Sequence, residues 1–210
     1  MKFLISAGPT REKIDPVRFI TNYSSGKMGY ALAGAAADAG HETILVSGPV
    51  CLEAPRNVTL ISVETAAEMA AEIKKVSDSS DIIIMAAAVA DYRPIKVHSE
   101  KMKKGSGNIT LELERTEDIL ASLGKIKHPG QILAGFAAET NKLLENALKK
   151  LNEKNLDWII ANEVGGKNSG FMSDENSVTM LSADGEKIVL PLENKKSLAV
   201  KIISVLTSGK

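Results

Sequence analysis

At 210 residues and 44% apolar composition the chain is long enough to enclose one large core, and its 26 lysines and arginines balance 26 aspartates and glutamates. With no net field, a general attraction to nucleic acid or to an anionic membrane is excluded, and recognition of a charged ligand must come from local clusters. The single cysteine, Cys51, excludes an internal disulfide framework and points to a reducing, cytoplasmic setting, while the longest apolar run, residues 82–90, is too short to span a bilayer.

In chain order, KFLIS (2–6) predicts a buried strand, followed by a glycine-containing loop over residues 7–12. The alanine-rich stretch from Gly29 to Ala39 predicts a helix closed by Gly40. ETILVSG (42–48) and VTLISV (58–63) read as strands, and Thr65 with Glu68 forms a capping box ahead of a second helix. DIIIMAAAV (81–89) reads as a fully buried strand. Residues 91–115 show no helical period and read as an inserted flap, extended over ITLELE (109–114). QILAGFA (131–137) and WIIAN (158–162) are strands on either side of a helix over 141–153, with another helix after Arg115–Asp118. A hairpin follows, 177–182 and 187–192 around the turn Ala183–Glu186, and then a terminal helix over about 194–206. Such alternation predicts an α/β, Rossmann-like, mostly parallel sheet with helices on both faces, an inserted flap and a C-terminal β-hairpin, in one domain over 1–210.

Ligands of open parallel sheets bind beyond the carboxyl ends of the strands. Before the first helix stands TNYSSGKMG (21–29), which fits neither a Walker A loop nor a dinucleotide fingerprint. Its glycine, two hydroxyls and Lys27, set at a helix start with unpaired N–H groups, make an anion site, although glycine and serine also cap helices ordinarily. In the flap, Lys101, Lys103 and Lys104 beside Gly105-Ser106-Gly107 suit a charged lid as well as a plain solvated loop. Lys150 and Lys154 share one helix face and also complement its dipole. Tyr23 with Lys27, and Tyr92 with Lys96, have the Tyr-x-x-x-Lys spacing of short-chain reductases, but Gly26 and Pro94 interrupt a regular helix in each. His41, His98 and His128 have no companions at metal-ligand spacing.

SAGPTREKIDPVRFITNYSSGKMG, AAAVADYRP, SEKMKK, GFAAET and KNLDWIIAN, in this order, resemble phosphopantothenoylcysteine synthetase over essentially the whole chain, most closely the bacterial synthetase half of the bifunctional coenzyme A biosynthesis flavoprotein. The resemblance implies activation of 4′-phosphopantothenate by CTP as an acyl-cytidylate, then attack by the cysteine amine, with release of pyrophosphate and CMP. It assigns catalytic roles to Asn22, at conversion of the acyl-nucleotide, and to Lys101, at its formation. Ala87, Ala88, Asp91, Lys101, Asp118, Phe136, Lys150 and Lys154 are implied to bind the nucleotide. Gly8, Arg18, Asn22, Ser24, Ser25, Gly26 and Lys27 are implied to bind phosphate or substrate. Mg²⁺ is implied as a cofactor, carried mainly on nucleotide phosphates with its protein ligands unassigned, and no flavin is expected in this chain. A homodimer paired through the flap, and a flavin-dependent decarboxylase domain or protein as partner, complete the expectation. Arg115-Thr116-Glu117-Asp118 departs from the Lys-Asn-Pro-Asp more usual in that branch. A nicotinamide reductase and a non-catalytic nucleotide-binding module remain the competing readings.

Overall fold

A computed structural model describes residues 1–105, 107–139, 142–163 and 173–208. In chain order the elements are β1 (Lys2–Ala7), β2 (Arg11–Asp15), β3 (Arg18–Thr21), α1 (Lys27–Asp38), β4 (Glu42–Ser47), β5 (Val58–Ser62), α2 (Ala66–Ser77), β6 (Ile82–Met85), β7 (Tyr92–Pro94) and β8 (Leu113–Arg115). They continue with α3 (Ile119–Ile126), β9 (Ile132–Glu139), α4 (Leu143–Glu153), β10 (Trp158–Glu163), β11 (Glu175–Ser182), β12 (Lys187–Asn194) and α5 (Lys195–Thr207). Thr140 and Asn141, part of the segments read from sequence as a strand end and a helix start, lie outside the described residues, as does Ser106.

Eight strands form one sheet in the order β12-β11-β10-β9-β6-β1-β4-β5, six of them parallel and the last two joined antiparallel as a hairpin. The chain runs β1-β4-β5 in one direction, then crosses back to β6 and runs β9-β10 in the other. The order therefore reverses between β1 and β6, the place where a doubly wound sheet opens a crevice. Strands buried on both faces favour apolar side chains throughout, which is why β6 reads as an unbroken apolar run and β1 as one interrupted only by Lys2 at its start and the buried Ser6. Phe3, Ile5 and Ala7 face Leu32, Ala33 and Ala36 of α1 and Ala199 and Ile202 of α5. Leu4, from the same strand, faces Met69 and Ile73 of α2, Leu123 of α3 and Leu151 of α4. The helices thus cover both faces, as expected. No helix among the described residues is long and apolar enough to cross a membrane.

Three expectations change. The fourth buried strand is shorter than the 81–89 reading: β6 ends at Met85, and Ala86–Ala90 leave the ladder apart from a bridge between Ala88 and Pro9. The end of the loop read over 7–12 and the residues that follow it, to which the sequence assigns no element, form the antiparallel hairpin β2–β3. Its cause is tertiary. Glu12 is buried and its carboxylate accepts from Ala66 N at 2.8 Å, at the start of α2, while Asp15 accepts from the N–H groups of Val17 and Arg18 at 2.9 Å. In the flap, ITLELE does not form a strand throughout: only Leu113–Arg115 pair, with Tyr92–Pro94, and Ile95 N donates to Glu112 O at 3.0 Å.

Candidate active site

The crevice at the strand reversal is built largely from main chain. Ala88 N donates to Gly8 O at 2.9 Å and Thr10 N to Ala88 O at 3.3 Å, so the loops leaving β1 and β6 are stitched together. The Thr10 hydroxyl accepts from Ala90 N at 3.0 Å, and the Thr21 hydroxyl donates to Thr10 O at 2.7 Å, which fixes the exit of β3. Asn22 follows directly, and its Nδ2 donates to Ala88 O at 3.0 Å and Val89 O at 3.2 Å. The side chain is exposed, yet its orientation is set by these two carbonyls.

On one side of Asn22 lies the start of α1. Gly26 occupies its N-cap position at φ 75°, where no side chain supplies a cap, so the first-turn N–H groups face outward with the positive end of the helix dipole. A Cβ at Gly26 would sit 2.8 Å from Val50 Cγ1, so both backbone and space require glycine here. A cavity of about 130 Å³ opens at this start, lined by Ser24, Ser25, Gly26, Lys27, Ala87, Ala88, Phe136, Asn162, Asn176 and Lys195, among others.

On the other side a cavity of about 490 Å³ is lined by Ala87, Ala88, Asp91, Tyr92, Arg115, Thr116, Asp118, Phe136 and Lys154. Ala87, Ala88 and Phe136 are common to both, so the two cavities adjoin along these residues as two parts of a trough. Asp118 caps α3 by accepting from Ala121 N at 3.0 Å and pairs with Lys154 Nζ at 2.8 Å. Burial works to raise the Asp118 carboxyl, but the bond from Lys154, the Ala121 N–H and the charges of Lys154 and Lys150 hold it below the usual carboxylate range. Gly124 makes this pairing reachable: a Cβ there would meet Lys154 O at 1.9 Å, so α3 abuts the end of α4 backbone to backbone. Thr116, in the segment that departs from the resembled pattern, donates from its hydroxyl to Ala90 O at 2.5 Å and from its N–H to Asp91 O at 3.0 Å. Glu117 also borders this cavity and pairs with Lys74, which with Ser122 holds its carboxyl below the usual range.

The structure therefore gathers Ser24, Ser25, Gly26, Lys27, Ala87, Ala88, Asp91, Asp118, Phe136 and Lys154 around the trough, while Asn22 and Gly8 reach it through their hydrogen bonds with Ala88. Lys150 acts on Asp118 through its charge and is not among the lining residues. Two expected residues lie elsewhere. Lys101 and Arg18 border a separate space beside Met102, Lys103, Lys104 and Ile109. Arg18 forms a close ion pair with Asp15 and donates to Met102 O at 2.9 Å, and Met102 N in turn donates to Asp15 at 3.1 Å. The flap is thereby fastened to the β2–β3 hairpin, with Lys101 next to the fastening.

Tyr92, Arg115, Asn176 and Lys195 line the trough without having stood out in the sequence as site residues. Lys195 carried a usable signal, since a lysine in the first turn of a helix opposes the dipole and there must be a reason for it. The reductase spacing is accounted for: Tyr23 precedes α1 and is 90% exposed, and Tyr92 lies on β7, so neither pair shares a helix. Among the described residues no group of three or more His, Cys, Asp or Glu side chains is placed to hold a metal ion.

Comparison with known proteins places this geometry in a family. The chain is 50% identical over 206 residues to the coenzyme A biosynthesis bifunctional protein CoaBC of Bacillus subtilis (strain 168), covering 98% of this chain and 50% of that protein. It thus spans about half the length of the curated relatives it matches. A crystal structure of the C-terminal domain of CoaBC superposes with a TM-score of 0.84 at 49% identity, covering 98% of this chain and 93% of the other. The DNA/pantothenate metabolism flavoprotein from Streptococcus pneumoniae shares the fold, with a TM-score of 0.84 at 22% identity and full coverage of both chains. With residues 1–209 matching its profile, the chain belongs to the DNA/pantothenate metabolism flavoprotein C-terminal domain family.

Proposed function

We propose that the chain is a phosphopantothenate–cysteine ligase of coenzyme A biosynthesis, which activates 4′-phosphopantothenate with CTP and joins it to cysteine. The observation that carries this reading is the pair of adjoining cavities, one of nucleoside size and one at an uncapped helix start, with Asn22 bonded to Ala88 of the wall they share. The 490 Å³ side takes the nucleoside, Phe136 and the loop Ala87–Asp91 forming its walls. The helix start takes phosphate, since outward N–H groups and the dipole favour an anion. The reacting carbonyl then lies between them, at Asn22.

In the first half-reaction a carboxylate oxygen attacks the α-phosphorus and the bond to pyrophosphate breaks. In the second, the cysteine amine adds to the acyl carbon, a proton is lost from nitrogen, and CMP departs with the former carboxylate oxygen. Neither step needs an enzyme nucleophile. What it needs is charge screening between anions and a donor for the oxygen of the tetrahedral intermediate. Asn22 is held where one N–H can turn from Val89 O to that oxygen while the other stays on Ala88 O. Magnesium would ride on the nucleotide's phosphates and neutralise their charge.

The separate placement of Arg18 and Lys101 is accounted for if a second copy completes the site. Ile95, Val97, Ile109, Leu111 and Leu113 leave the flap with exposed apolar side chains, Ile109 bordering the same space as these two cations. Pairing of two flaps would bury them and bring Lys101 of one protomer to the substrate of its partner. The preference for CTP and a cytoplasmic setting rest on similarity to bacterial relatives, and a flavin-dependent decarboxylase would be the partner activity of the half that this chain does not span.

The test is pyrophosphate release with Mg²⁺ and 4′-phosphopantothenate, with CTP and ATP in parallel, with and without cysteine. The expected result is release with CTP and formation of CMP and amide only when cysteine is present. Release with ATP alone contradicts the nucleotide assignment. Tight binding of a nicotinamide cofactor with no pyrophosphate release favours the reductase reading.

A further inference from the structure

The C-terminal hairpin and helix place two polar groups in the trough that the reaction outlined above does not use. Asn176, on β11, is only 5% exposed, lines the 130 Å³ cavity, and its Oδ1 is the one buried side-chain acceptor without a hydrogen-bond partner among the described residues. Buried polar atoms are nearly always satisfied, so a lone buried acceptor on a residue that borders a cavity marks a missing donor or cation. Lys195, in the first turn of α5, is 6% exposed and lines the same cavity, its Nζ donating to Ser173 O at 2.6 Å. Lys27, across from it, pairs with Asp174 at 2.7 Å. Burial and the Lys27 charge lower the Lys195 ammonium from its usual value, with Asp174 opposing, so an anion held between the two lysines relieves their repulsion.

We propose that Lys195 and Asn176 complete the subsite for the nucleotide's terminal phosphates and their divalent cation, Lys195 contacting phosphate oxygen and Asn176 Oδ1 the cation or its hydration water. The proposal rests on the nucleotide reading of the trough. Its location follows from the shared walls at Ala87, Ala88 and Phe136, along which this cavity adjoins the nucleoside cavity. A polyphosphate leaving that cavity meets the start of α1 and two ammonium groups. Its chemistry follows from the atom left unpaired: an amide oxygen repels a bare phosphate but is a good ligand for a hard cation. The arrangement also gives Asp174 a purpose as the counter-ion of Lys27, one that phosphate displaces on binding.

Calorimetric titration with CMP and with CTP, each with and without Mg²⁺, tests it. CMP reports the nucleoside cavity alone, and the ratio of CTP to CMP affinity reports the subsite. Lys195→Met is expected to lower that ratio about tenfold while CMP affinity stays within about twofold. Asn176→Val, which suits a strand and removes the lone acceptor, is expected to reduce the Mg²⁺-dependent gain in CTP affinity at least about fivefold without lowering the melting temperature. An unchanged ratio in both variants overturns the proposal and leaves the nucleotide reading intact. Equal losses of CMP and CTP affinity assign the two residues a purely structural role and also overturn it. A wild-type protein that binds neither nucleotide overturns both readings.

Discussion

Asn22 is committed by its neighbours before any substrate arrives. Its Nδ2 faces two main-chain carbonyls, so the amide can only be oriented with nitrogen toward the Ala88–Val89 loop. Asn22→Asp places a carboxylate against the same carbonyls and removes the donor. Pyrophosphate release is expected to persist, with amide formation reduced about 10²–10³-fold, the usual cost of losing one oxyanion donor. Undiminished product from that variant would refute the role given to Asn22. Gly26 is equally constrained, by its backbone. Gly26→Ala forces an L-residue to φ 75° and drives a Cβ toward Val50. Destabilisation of about 1–2 kcal/mol is expected from denaturant unfolding, together with weaker phosphate binding.

At the scale of elements, Asp15 joins the β2–β3 hairpin to the flap. The bond from Arg18 is the largest influence on its carboxyl; burial opposes it, and the N–H groups of Val17 and Met102 reinforce it, so the group is held well below the usual carboxylate range. A folded value below the unfolded value, about 3.9, means that the carboxylate stabilises the fold at every pH above the unfolded value. That contribution is lost only as the pH falls through the lower folded value. A carboxyl-carbon NMR titration is expected to show Asp15 still ionised where free aspartate is half protonated; an ordinary titration curve would remove it as the fastening. Asp15→Asn is expected to free the flap, seen as at least about fivefold faster tryptic cleavage at Lys101–Lys104.

These elements also mark the limit of what the sequence made legible. The capping box at Thr65 and Glu68, the buried runs of β1 and β6 and the C-terminal hairpin are local signals, and all of them formed, although β6 stops at Met85, short of the run that the sequence predicts. REKID and RFIT carry no apolar alternation, and they are strands because Glu12 reaches α2 and Asp15 reaches the flap, contacts distant in sequence. ITLELE has the alternation of a strand, but no sheet face is offered to it, so most of it stays unpaired and exposed.

Across the whole molecule, the reversal of strand order between β1 and β6 is what turns scattered motifs into one site. TNYSSGKMG, AAAVADY and GFAAE are far apart in the chain and meet because β1, β6 and β9 are neighbours in the sheet. Motif content was readable in the sequence for that reason, while the parts supplied from the far edge, Asn176 and Lys195, depended on where the antiparallel hairpin and α5 pack.

The most direct test of the central claim follows one oxygen atom. Phosphopantothenate labelled with heavy oxygen in its carboxylate is incubated with the protein, CTP, Mg²⁺ and cysteine, and the products are analysed by mass spectrometry. An acyl-cytidylate route places one labelled oxygen in CMP and none in pyrophosphate. Label in inorganic phosphate together with CDP, or amide formed with unlabelled CMP, would contradict it.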